Sequence, residues 1–251
     1  MNTNKKRAML VGVLFILAAV TSIFGLILYD PILNGPDYLI QGSENANQVI
    51  LGAVFELILV CSAIGTSITL FPLLRKQNES LALGYVCFRF LEAVIITVGV
   101  ISVLSLLTLS QEFVKAGAPN ASSFQTSGSL LKAVHDWTFM LGPNFMLGIN
   151  TMMCSYLLYT SKLVPRFISV MGLTGATLIF LAAILEMFGI ILQLSTWGAI
   201  LAIPVALYEM TLAIWLIVKG FNEVLNAHHN PLVIQKQNYM LEDEIKAQKI
   251  L

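Results

Sequence analysis

Seven ionisable side chains interrupt otherwise apolar stretches of this sequence: Glu56, Arg89, Glu92, His135, Asp136, Glu186 and Glu209. Carboxylates beside one arginine and one histidine suit general acid–base chemistry, charge-paired clusters, or a polar site for a small ligand. Arg89 and Glu92 stand at i, i+3, which puts both on one helix face and close enough to pair. Adjacent residues on a helix point about 100° apart, so His135 and Asp136 do not aim at one ligand together. No metal is expected, because a single His among scattered carboxylates lacks an HxxxH or ExxH element. No cofactor is expected either. The paired buried histidines of a haem site, a buried lysine, a Gly-rich phosphate loop and a GxSxG elbow are all missing. The cysteines Cys61, Cys87 and Cys154 lie in apolar runs without a CxxC pair, and each is expected to be a small buried hydrophobe.

The elements that carry these residues must be membrane helices. Of 251 residues, 57% are hydrophobic and only 11% charged, against about a quarter charged in soluble domains. Lys and Arg number fourteen, as do Asp and Glu, so no basic excess is left for nucleic acid. A bilayer core of about 30 Å takes roughly 20 apolar residues in a helix. Six runs meet that requirement, over residues 8–29, 48–74, 81–110, 130–160, 167–194 and 197–219. The fold class expected is therefore all-α, an integral membrane six-helix bundle. Residues 1–221 form the membrane domain and 222–251 a polar cytoplasmic tail, in which Ile234, Leu241 and Ile245 share at most a short amphipathic face.

Lys5, Lys6 and Arg7 precede the first run, which is too long for a signal peptide and has no small-residue cleavage site after it. With the N-terminus inside, eleven Lys and Arg fall on inner segments and two, Lys115 and Lys132, on outer ones. Both termini are therefore expected to be cytoplasmic. The two sizeable outer loops, 30–47 and 111–129, suit a thin cap rather than a domain.

At 1.5 Å per residue, Arg89, Glu92 and Glu209 fall about 12, 17 and 15 Å from the inner surface, one cluster near the midplane. Their charges, one positive and two negative, require that one carboxyl be protonated or met by another cation. Arg89 is expected to be held by both Glu92 and Glu209. Glu56 and Glu186 lie about 12 Å from the outer surface, and His135 and Asp136 about 8 to 9 Å. These four, with Asn144, are expected to line one outer pocket, since charges at such depth avoid lipid. Gly142-Pro143-Asn144 should kink the fourth span, on which Asn144 and Asn150 add polar groups. Phe55-Glu56-Leu57 resembles Tyr208-Glu209-Met210, as Leu91-Glu92 resembles Leu185-Glu186, short matches in the order of a parallel duplication.

Phe88-Arg89 with Glu92-Ala93 resembles the FRxxEA element of a bacterial membrane family, domain of unknown function 4386. The same order continues with His135, then Tyr156-Leu157-Leu158-Tyr159 with Ser161, Pro165-Arg166, and Glu209 followed by Leu212-Ala213-Ile214-Trp215-Leu216 and Lys219-Gly220. The resemblance covers roughly residues 5 to 221. Glu56 departs from it, since the family more often has aspartate there, but the charge is kept. The resemblance implies a six-helix protein of the bacterial inner membrane, with membrane lipids around it, and implies no reaction. Three functions compete: a binder or permease for a small molecule or lipid; an intramembrane enzyme with Glu56, Glu186, His135 or Asp136 as acid, base or ligand; and a scaffold whose buried ions fix helix register.

Overall fold

Apolar runs bounded by charge and turn residues become helices in the computed structural model, which describes residues 3–117 and 121–222. Helix α1 covers Thr3–Leu28, α4 Ala46–Leu74 and α5 Glu79–Lys115, with two short helices, α2 (Asp30–Leu33) and α3 (Tyr38–Glu44), in the first large loop. Then come α6 (Ala121–Met140), a π-helical turn at Leu141–Met146, α7 (Leu147–Ser161), α8 (Arg166–Met187) and α9 (Thr196–Val218). No strand occurs among the described residues. The amphipathic segment expected within the tail lies outside the described residues.

Five of these helices, α1, α4, α5, α8 and α9, are long and apolar enough to cross a membrane. Their outer faces agree: on α1, Leu10, Val13, Leu17, Val20, Phe24 and Ile27 alternate three and four apart and are exposed. An apolar stripe turned outward suits contact with lipid better than with water. The expected buried cysteines divide on the same principle. Cys154 packs in the core, while Cys61 and Cys87 are exposed on the outer faces of α4 and α5, because an apolar run in a membrane helix serves lipid contact as readily as the interior.

The run 130–160 does not form one uninterrupted α-helix. It is divided between α6, the π-helical turn and α7, and the break falls at the expected proline. Pro143 has no N–H to give to the carbonyl four residues back, Phe139. That oxygen instead accepts a hydrogen bond from Gln193 Nε2 at 2.9 Å, so a residue beyond α8 satisfies what the proline releases. The run 167–194 also stops early. Helix α8 ends at Met187 because Gly189 takes φ 68°; the N–H of Gly189 reaches Glu186 O and that of Ile190 reaches Leu185 O, both at 2.9 Å, a Schellman ending that apolarity alone does not reveal.

Two apolar cores sit at opposite ends of the bundle. One gathers Ala8, Val11 and Phe15 of α1 with Leu70 to Leu74, Tyr85, Leu157, Ile168 and Leu212. Beside it the C-terminal end of α9 folds over, Asn222 Nδ2 donating to Lys162 O at 2.9 Å. The other core joins Tyr29, Ile32, Leu39, Val49, Ala53 and the stretch Val100 to Phe113 of α5. Helix α5, at 37 residues and therefore roughly 55 Å long, exceeds the roughly 30 Å of a bilayer core. Helix α3 caps it, Ser110 Oγ donating to Leu39 O at 2.6 Å. Between the two cores, α1, α4 and α5 each leave a middle stretch with no place in either.

Candidate functional site

That middle stretch encloses a cavity of about 240 Å³. Helix α1 contributes Ala18, Ser22 and Ile23 to its walls, α4 Glu56 and Leu59, and α5 Arg89, Glu92 and Ile96. Phe139, Pro143 and Leu147 close it around the π-helical turn, and α9 supplies Glu209. Small α1 residues leave the space; larger ones would fill it. Ile23 is 59% exposed, so it stands on a rim where the cavity meets the outer face of the bundle.

The charged floor is asymmetric. Arg89 is 3% and Glu92 4% exposed, and Arg89 Nη1 donates to both Glu92 oxygens at 2.9 and 3.2 Å. Glu92 Oε2 also accepts from Asn150 Nδ2 at 2.6 Å, so both oxygens of that carboxylate are engaged. The guanidinium lies 6.0 Å over the ring centre of Phe15, an aromatic face suited to a buried cation. Its Nε is buried without a hydrogen-bond partner. Arg89–Glu92 is the ion pair among the described residues, and His135 Nδ1 lies 3.5 Å from Asp136 Oδ1.

Glu209 therefore does not pair with Arg89 as expected. Depth along the helices placed it correctly beside the cluster, and both side chains line the cavity, but the carboxylate makes no contact within ion-pair distance of the guanidinium. Helix rise gives depth but not the lateral distance between side chains on different helices, which is where this expectation failed.

The single outer pocket is also corrected. Glu56 and His135 do share a smaller cavity of about 20 Å³, with Tyr29, Gly99 and Thr138, room for a water molecule. His135 is buried between the edge-on ring of Tyr29 at 6.0 Å and the stacked ring of Phe139 at 5.9 Å. Asp136, however, has a side chain 72% exposed, touching His135 Nδ1 at 3.5 Å from outside. Turning His135 inward turns its neighbour outward, by the 100° step. Glu186 lines neither cavity; it accepts from Asn144 Nδ2 at 2.8 Å, a pair set apart on α8 and the π-helical turn. Glu56, by contrast, borders both cavities and joins the two tiers. Its carboxylate packs against Gly25, where an added Cβ would lie 2.6 Å from Oε1.

Among the described residues no three His, Cys, Asp or Glu side chains converge as metal ligands. The arrangement is a polar-floored, apolar-walled chamber at mid-depth in a helical bundle. A family model for a domain of unknown function, DUF4386, matches residues 10–220 of the chain. The chain belongs to this family. The match runs from the first turns of α1 to the end of α9, so both cavities lie within the family's own boundaries. No curated protein and no solved structure matches. Two contributors escaped the sequence reading. Asn150 was noted only as polar, although its spacing from Pro143, two turns on, puts it on the same face toward α5; Gln193 sits in a loop, and only the proline's unpaired carbonyl signals that some donor must come.

Proposed function

We propose that this DUF4386 protein spans the bacterial inner membrane six times, with both termini cytoplasmic, and binds or passes a small amphipathic molecule or lipid in the cavity between its two cores. The carrying observation is the chamber itself, in which charged Arg89, Glu92, Glu56 and Glu209 face apolar walls and an open rim beside Ile23. Ionisable groups at bilayer depth are costly and turn toward a pathway or a pocket. A purely register-fixing role would need the Arg89–Glu92 pair and no space beside it.

One adjacency and the helix count support six passes. The start of α1 and the end of α9 lie together, Ala8 packing near Gly220, so the number of passes is even. With five apolar helices, the α6–α7 segment makes the sixth. Arg75, Lys76, Lys162, Arg166 and Lys219 all stand at helix ends beside the core that holds Ala8, and their charge supports reading that side as cytoplasmic. An impermeant maleimide applied to intact cells is expected to leave Asn238→Cys unlabelled, in a background with Cys61 and Cys87 changed to serine; labelling before lysis would reverse the orientation.

Binding is tested by filling the chamber. Ser22→Trp places an indole where the α1 wall is thin. In native mass spectrometry the wild type is expected to carry non-protein mass that survives delipidating detergent, and the Trp variant to lose it. Equal retention by both would put any bound molecule elsewhere on the protein.

A further inference from the structure

Charge matching within the cavity points to the kind of molecule it takes, an inference that rests on the binding function proposed above. Four ionisable side chains line the chamber. Arg89 and Glu92 satisfy each other, with Asn150 completing the carboxylate. Glu56 and Glu209 have no cation within ion-pair distance among the described residues, so the chamber has two unmatched acceptors of positive charge. Arg89 adds a complementary feature. All its hydrogen bonds to Glu92 leave from Nη1, which leaves the other terminal nitrogen, Nη2, as a donor for an acceptor that is not a carboxylate of this chain. Apart from Ser22, whose hydroxyl donates to Ala19 O, the remaining walls, among them Ala18, Leu26, Leu59 and Leu147, are apolar and lead to the rim at Ile23.

We propose that the ligand is an amphipathic organic amine bearing a hydrogen-bond acceptor beside the nitrogen, an amino alcohol with an apolar tail. Its ammonium sits between Glu56 and Glu209, its oxygen accepts from Arg89, and its tail leaves along α1 toward lipid. A carboxylic acid of the same length would bring a third acid to the two glutamates, and a neutral diol would offer them no cation, so neither would gain the charge-assisted contacts that the ammonium makes.

Three probes with one tail separate these cases: 1-aminooctan-2-ol, octane-1,2-diol and 2-hydroxyoctanoate, each titrated into the full-length protein in nanodiscs with the shift in thermal unfolding as readout. The amino alcohol is expected to bind about tenfold or more tighter than the diol, the difference of one charge-assisted contact. Glu209→Gln and Glu56→Gln should each remove most of that advantage, and a cooperative thermal transition without any probe verifies that the variants are folded. Tightest binding by the hydroxy acid would overturn the amine, leave the cavity-binding function standing and make Arg89 the anchor. Equal binding of amine and diol, or an amine response indifferent to both glutamine substitutions, would also overturn it. If none of the three probes shifts the wild type, the cavity-binding function fails, and the amine inference with it.

Discussion

Replacing Glu92 by methionine is expected to cost about 3–5 kcal/mol of stability, the price of stranding a buried charge, and to lower the unfolding midpoint in detergent by on the order of 10 °C. The reason is an asymmetry between the partners. Arg89 cannot shed its proton, it is 3% exposed, and Glu92 is its one ion-pair partner among the described residues. Removing Arg89 instead leaves a carboxyl that still has Asn150 at 2.6 Å and can take a proton, so Arg89→Met should be the milder change. The double variant, with methionine at both positions, should recover most of the loss, because a desolvated pair exchanged for apolar groups is near neutral. Glu209→Gln should cost much less than Glu92→Met, since Glu209 makes no ion pair with Arg89. Thermal denaturation of the four variants checks the order; a double variant no better than Glu92→Met would show that the stranded charge is not the cause.

The second large effect is steric. Gly175 lies where α8 crosses α9, and an added Cβ would sit 2.8 Å from both N and Cα of Val205 and 3.0 Å from the carbonyl carbon of Pro204. All three are backbone atoms, so no rotamer relieves the contact and the helices must part. Membrane helices associate through such small residues because packing, not water exclusion, holds them together. Gly175→Ala is expected to destabilise by about 1–3 kcal/mol, with Gly175→Val worse. Gly84 is the contrast: its added Cβ would meet only the thioether of Met153, 3.3 Å away, a flexible end that can move. There the helix propensity of alanine should prevail, for a gain of up to about 1 kcal/mol. Equal stability of the two alanine variants would contradict the close approach of α8 and α9.

Much of this architecture was legible in the sequence because lipid imposes a simple rule. Runs such as 48–74 and 197–219 coincide with α4 and α9 to within two residues, their ends marked by Arg75 and Lys219. Where the run continued through Phe188 to Leu194, hydropathy had nothing to say about Gly189 and its left-handed turn. The polar start of α6, from Ser122 to Ser129, likewise hid that a helix continues there, since exposure above a bilayer leaves no apolar signature. Depth could be counted, and it brought Arg89, Glu92 and Glu209 to one chamber. Azimuth could not, and so Asp136 and Glu186 were grouped with His135 although the helices turn them elsewhere. The likeness of the sequences around Glu56 and Glu209 has a counterpart in space, both glutamates facing one cavity, whereas the likeness around Glu92 and Glu186 has none.

An experimental density map of the protein in lipid nanodiscs, at a resolution that shows side chains, tests the central claim most directly. The expected map has non-protein density in the chamber, touching Arg89 and lying between Glu56 and Glu209, with a tail running past Ile23. A chamber closed by α1, with the Glu209 carboxylate resting on the Arg89 guanidinium and nothing else between the two cores, would contradict it and leave the buried charges a structural role alone.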